Sequence, residues 1–365
     1  MSAVPSGPVV GVIGANGFIG NRIVEMLHLG GRHEVRPIVR QASGLALASR
    51  FALAGRVADA FDEAATEAAL RGCDIVVHAL AGDHRTIVGT VATVYRAAER
   101  AGCRRLVYLS SAMVHGQSPP PGCDDATPLS HKQPIRYNLS KIKAEERLFA
   151  LRGRGRLEAV ALRPGIVFGP RSQWIGGLAD SLLSGEAYLV DGGVGLCNAI
   201  YIDNLVEAIV RCFDAPAADG EAFLLGDAET PSWREVYRRV AGAVGVDMAK
   251  VPSLGFTPPV PGLMDRVDEW RQSAPVRAAL DALPKSLSQG LGAFWAASGA
   301  LPPPRPKGPN PTLEMALLQR AQHVPRWDRA RRLLGHAPSV PADEAWRRTR
   351  AWLAFAGYTT RGDDG

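Results

Sequence analysis

Short apolar runs alternate with stretches whose apolar residues recur at helical spacing through the first half of the chain. The strand-like runs are Val9 to Ile13, Val35 to Val39, Asp74 to Leu80, Arg105 to Ser110 and Ala159 to Val167. This alternation predicts parallel strands joined by helical crossovers, an α/β chain with a Rossmann-type, doubly wound parallel sheet. The first helix carries Ile19, Ile23 and Met26 or Leu27 on one face and stops at Gly30-Gly31, a buried stripe closed by a glycine C-cap. Beyond Pro170 the rhythm becomes a helix near 177–184, a strand at 199–202, a helix at 204–213, a strand at 223–225 and a helix at 232–244. The pattern predicts a doubly wound domain over 1–170 and a smaller α/β lobe over 171–365, with strand 199–203 returning toward the core region. Within the lobe, about 252–311 reads as an inserted helical module: Pro-rich borders enclose Val276, Leu280, Leu283, Leu287 and Leu291 at helical spacing. Helices resume at Trp327 to Leu334 and Glu344 to Phe355.

Composition narrows the class. A chain of 365 residues, 46% of them hydrophobic, can bury a sizeable core. Five cysteines, odd in number and without C-x-x-C spacing, indicate neither a disulfide framework nor a zinc site, so no metal is expected and a reducing cytoplasm is the simplest compartment. The first residues lack a signal-like apolar core, and no apolar run is long enough to span a bilayer. The net charge of +6 is spread along the chain with no basic stripe interleaved with aromatics, which argues against nucleic acid as a partner.

Candidate chemistry begins where the first strand meets the first helix, in Gly14-Ala15-Asn16-Gly17-Phe18-Ile19-Gly20. Gly14 permits a tight turn, Gly17 lets backbone approach a pyrophosphate and Gly20 allows close contact of helix and sheet, while the helix start offers free amides. The strand-turn-helix context makes this a dinucleotide site. The second strand ends in Arg40, where an NAD site usually carries Asp or Glu for the ribose diol. Arginine there pairs with a 2′-phosphate, which favours NADP(H), with NAD(H) as the alternative. Tyr137 and Lys141 stand one helical turn apart, and Ala144 and Leu148 continue their face as a buried stripe. Bringing a tyrosine from about 10 to near neutral takes roughly 4 kcal/mol of differential stabilisation, to which a neighbouring ammonium and a positive nicotinamide contribute. Ser111, at the carboxyl end of a parallel strand, is placed to hydrogen-bond a reacting carbonyl, with Ser110 the nearest competitor.

With these motifs the chain resembles the extended short-chain dehydrogenase/reductase family over Val9 to about Gly245 and again over Trp327 to Tyr358. The resemblance implies that Asp59 meets the adenine amine, that Ala79, Leu80 and Ala81 form the loop beneath the cofactor, and that Pro164 of Arg163-Pro164-Gly165-Ile166-Val167-Phe168-Gly169-Pro170 borders it. Tyr201-Ile202-Asp203-Asn204 is similar to the family's later strand end. Ser111, Tyr137 and Lys141 become the catalytic set of an oxidoreductase. Sugar-nucleotide dehydratases of this family place an acidic pair after the catalytic Ser or Thr. Ala112-Met113 stands here, which disfavours dehydration. Cys197 or Asn198 occupies the place of the arginine that commonly holds a nucleotide-sugar diphosphate, although Arg171 offers a substitute. The expectation is therefore reduction of a ketone, or oxidation of a secondary alcohol, on a small-molecule or lipid-like substrate, with a nucleotide-sugar epimerase as the alternative. A homodimer or monomer is expected, with 263–295 offering a peripheral contact at the inner membrane face.

Overall fold

The computed structural model describes residues 7–257 and 308–358. The expected module at about 252–311, and the membrane contact assigned to 263–295, therefore fall wholly or largely outside the described residues.

The first half follows the predicted alternation. β1 (Val9–Ile13) leads through the glycine turn into α1 (Phe18–Gly30), which ends at Gly31 with φ 65°, the left-handed cap the glycine pair predicted. There follow β2 (Glu34–Val39), β3 (Arg56–Val57), α2 (Glu63–Leu70), β4 (Ile75–His78), α3 (His84–Arg100), β5 (Arg105–Leu109), α4 (Arg136–Arg152) and β6 (Glu158–Pro164). Then come β7 (Ile166–Phe168), α5 (Gln173–Leu183), β8 (Leu189–Val190), β9 (Ala199–Tyr201), α6 (Ile202–Arg211), β10 (Ala222–Leu225), α7 (Trp233–Val244) and β11 (Ser253–Leu254). After the undescribed stretch run α8 (Leu313–Gln319), α9 (Asp328–Leu334) and α10 (Ala342–Phe355).

Seven strands form one all-parallel sheet in the order β10-β6-β5-β4-β1-β2-β3. β4 and β5 are buried along their whole length, as strands covered by helices on both faces must be. One predicted assignment changes. The strand 223–225, assigned to the smaller lobe, is the edge strand of the main sheet, because Phe223 to Leu225 pair in parallel register with Leu162 to Pro164. The strand at 199–202 pairs with β7 in a separate parallel ribbon, and Ala199, Ile200 and Tyr201 pack into the same core as β1 and α1. Both pairings begin at Gly165, which splits the apolar run 159–167 into two strands. Its amide donates to the Leu225 carbonyl at 3.2 Å, and the next amide, Ile166, donates to Asn198 at 2.7 Å. A Cβ at position 165 would stand 2.3 Å from the Asn198 carbonyl oxygen, so only glycine lets the chain step from one sheet to the other.

Asp203 fastens the later elements to the first helix. Its buried carboxylate takes Arg22 of α1 at 2.7 and 2.8 Å and Arg348 of α10 at 3.0 Å. Asn204 bonds Asp227 at 2.8 Å and both backbone groups of Val340. The family-like pair at 203–204 thus acts as a structural staple.

Candidate active site

The carboxyl ends of the parallel strands share one edge of the sheet, and the candidate residues gather there. At the end of β1, Gly14 has φ 86°, a conformation that disfavours any side chain. A Cβ there would press on the Ala79 carbonyl at 3.0 Å, so Ala79 and Leu80, after β4, lie directly against the turn. At Gly20 a Cβ would stand 2.2 Å from the Gly14 oxygen, which is the close approach of helix and sheet that the motif requires. Gly17 and Asn16 are exposed, and Gly17 caps α1 with no side-chain hydrogen bond. The first amides of the helix, at Phe18, Ile19 and Gly20, therefore have no acceptor within it, an arrangement suited to a pyrophosphate.

On the far side of β1 from the reacting end, Arg40 closes β2 as an exposed side chain. Asp59, following β3, is exposed, and one carboxylate oxygen accepts from the Phe61 amide at 3.0 Å, which shapes the acidic turn. Ala81 is exposed beyond Leu80, whereas Pro164 is buried at the end of β6. The candidate cofactor residues thus line one continuous edge from β3 to β6.

The catalytic candidates converge at β5 and α4. Tyr137 lies in the first turn of α4, partly exposed, while Lys141, one turn on, is buried. Ser111 follows β5, close enough to Tyr137 to influence its titration, and its hydroxyl accepts from the Met113 amide at 3.2 Å. The Lys141 ammonium donates to the Leu109 carbonyl at 2.6 Å and lies 5.9 Å from the Tyr137 ring centre. One carbonyl acceptor for three N–H donors leaves two free for a ribose diol. Burial pulls Lys141 down to about 8, with Glu145 opposing the fall. Burial pushes Tyr137 up from 10; the Ser111 hydrogen bond works against this and the charge of Glu314 works with it. In the protein alone, therefore, the tyrosine is held as a proton donor.

Two networks hold these groups. Ser110 donates to the buried carboxylate of Glu145, which also forms a buried ion pair with Arg163 at 2.6 Å. Asn138, beside Tyr137, exchanges hydrogen bonds with Gln117 at 2.9 and 3.2 Å and donates to Gln133 at 2.6 Å, fixing the chain after β5 to the start of α4. Glu145 was legible in principle as the next i+4 position after Lys141. Glu314 had no such signal, since it meets Gln117 from 197 residues along the chain.

Arg171 does not turn to Tyr137. With φ 72° it reaches back to α1 and donates to the Asn21 side chain at 2.6 Å. Cys197 is buried, and the Asn198 carbonyl accepts from β7. Among the described residues there is no group of three metal-ligating side chains, and no helix is long and apolar enough to cross a membrane.

The sequence profile of the NAD dependent epimerase/dehydratase family matches residues 10–226. The chain is 30% identical over 255 residues to a UDP-glucose 4-epimerase of Vibrio cholerae, covering 66% of this chain and 76% of that protein. It is 31% identical over 252 residues to a 3-diazoavenalumate denitrifying reductase of a Streptomyces species, covering 64% and 81%. A dTDP-glucose 4,6-dehydratase of Streptomyces venezuelae superposes with a TM-score of 0.69 at 19% identity, over 95% of this chain and 97% of the other, a likeness of fold.

Proposed function

The chain belongs to the NAD dependent epimerase/dehydratase family, within the extended short-chain dehydrogenases/reductases, and from that membership we propose that this NAD(P)-dependent enzyme is an NADP(H)-dependent ketone reductase. The observation that carries the reading is the meeting of Ser111, Tyr137 and Lys141 at the edge of the sheet that also holds the glycine turn. The cradle formed by Gly14, Gly17 and Gly20 and the two spare donors of Lys141 fit a dinucleotide. Exposed Arg40 supports a 2′-phosphate on it.

When bound, NADPH supplies the hydride. Ser111 holds the substrate oxygen by a hydrogen bond, which stabilises the negative charge that develops there. Tyr137 then gives its proton to that oxygen; its folded environment keeps the hydroxyl protonated, so the donor form is the one present before transfer. Lys141 orients the ribose and places a positive charge beside the tyrosine, steadying the phenolate left behind. Ala112 and Met113 bring no acid next to Ser111, which supports simple reduction over dehydration. An apolar or lipid-like ketone is the proposed substrate.

The Vibrio cholerae relative favours a second reading, epimerisation of a nucleotide sugar by transient oxidation. The two differ in stoichiometry. A screen over ketones and UDP-sugars should show one NADPH oxidised per product formed, and Tyr137→Phe should lower that rate by roughly 10²- to 10⁴-fold with the fold intact. Conversion of a sugar without net cofactor use, or full activity in the Phe variant, refutes the reductase. In the same assay Arg40→Asp should weaken NADPH far more than NADH.

A further inference from the structure

A carboxylate from far along the chain, Glu314 of α8, approaches the start of α4. α8 is held at both ends: the Thr312 hydroxyl accepts from the Met315 amide at 3.2 Å, and the Trp233 indole donates to the Leu318 carbonyl at 3.0 Å. Glu314, in its first turn, is half-buried, and its Oε1 lies 3.5 Å from the Gln117 side-chain nitrogen. Gln117 is in turn bonded twice to Asn138, the neighbour of Tyr137. Glu314 therefore stands at the mouth of the site on a braced turn. Its carboxylate has this contact with Gln117.

A carboxylate accepts hydrogen bonds and donates none. A bound substrate that displaces water from Glu314 binds better when it brings a hydrogen-bond donor of its own to that carboxylate. We propose that Glu314 is a specificity-determining residue whose carboxylate accepts a hydrogen bond from a hydroxyl or ammonium group carried near the reacting carbon of the substrate. This rests on Tyr137 being the proton donor of the reaction. The substrate class narrows to ketones bearing such a donor, α-hydroxyketones first among them, and ketones lacking it bind less well.

The placement also has a consequence without any substrate. Tyr137 is faced by Lys141 of its own helix, Ser111 from the turn after β5, Tyr108 of β5 and Glu314 of α8. Removing the Glu314 charge removes one of the influences that hold its proton on.

The test has two arms. With NADPH and the matched pair 2-hydroxyacetophenone and acetophenone, the wild type should favour the hydroxyketone in kcat/KM by about ten- to a hundredfold, the discrimination expected of a charged hydrogen bond. Glu314→Gln should collapse that ratio, and Glu314→Asp should retain part of it. A ratio unchanged in Glu314→Gln, or no preference in the wild type, overturns the inference and leaves the reductase standing. A wild type that reduces neither ketone counts against the reductase reading and the substrate class together. The second arm needs no turnover. Phenolate absorbance titrated against pH, with Tyr137→Phe subtracted to isolate Tyr137, should move to lower pH in Glu314→Gln. An unmoved titration overturns the placement of Glu314 beside the tyrosine.

Discussion

Adjacent residues at the end of a strand point in opposite directions, which decides between the two serines the sequence left in competition. Ser110 turns inward: its hydroxyl is buried against Glu145, itself buried and paired with Arg163. Ser111 turns to the sheet edge and reaches Tyr137. The sequence pattern shows that a serine stands at the strand end but not which face each side chain takes, because the handing-over depends on how the turn at 112–115 leaves β5. The two roles predict separable losses. Ser111→Ala should lower kcat by about 10²- to 10³-fold with little change in stability. Ser110→Ala should keep kcat within a few-fold yet destabilise the fold by about 1–3 kcal/mol, the range for a hydrogen bond to a buried charged group. Steady-state rates and urea midpoints on both variants check this, and equal losses of rate would dissolve the distinction.

Elements were legible where their own periodicity defines them and illegible where partners do. β1, α1 and its glycine stop were readable because each is a local pattern: buried strand, apolar stripe, left-handed cap. β10 reads locally like any short apolar strand, and only its register against β6 assigns it to the main sheet. The same distinction separates two glycines of one helix. Gly20 exists for a neighbour, since an added Cβ would collide with the Gly14 oxygen at 2.2 Å. Gly30, near the end of α1, would meet nothing within 4 Å. Gly20→Ala should therefore cost about 1–3 kcal/mol through overpacking and weaken cofactor binding by shifting the helix start. Gly30→Ala should be neutral or stabilise by up to about 1 kcal/mol through helix propensity. Urea unfolding and NADPH titration of the two variants give the comparison, and similar effects would refute the steric account.

The assembled molecule creates properties that no segment carries alone, and His78 shows this through its dependence on pH. In the sequence it is the last polar residue before a loop; in the structure it is 1% exposed, enclosed by β1, β5, α3 and Lys141. Its Nε2 faces the Thr90 hydroxyl at 3.0 Å, and that hydroxyl donates onward to the Thr86 carbonyl at 2.7 Å, so the imidazole is the donor and is neutral. Nδ1 is buried without a partner. Burial first, and the Lys141 charge second, lower its pKa from 6.5 to about 3. A group whose folded pKa is depressed in this way takes up a proton in the unfolded chain before the folded one. Stability therefore falls as pH drops from 6.5 toward 3, by up to about 1.4 kcal/mol per pH unit. His115, lowered to about 4 by burial, acts in the same sense. Asp125 and Asp227, raised by burial to about 6, act oppositely, because the folded state binds their protons first as pH falls from 6 toward 3.8. The net acid response of the whole protein mixes these contributions, but a variant at one site isolates its own. His78→Gln keeps an N–H donor for Thr90 and removes the titration. Its unfolding free energy, measured by urea at intervals from pH 7 to pH 4, should decline less steeply than that of the wild type by about one proton's worth of slope below pH 6.5. Parallel curves would mean that His78 is protonated in the folded molecule, and with it that the interior between β4 and α3 admits a charge.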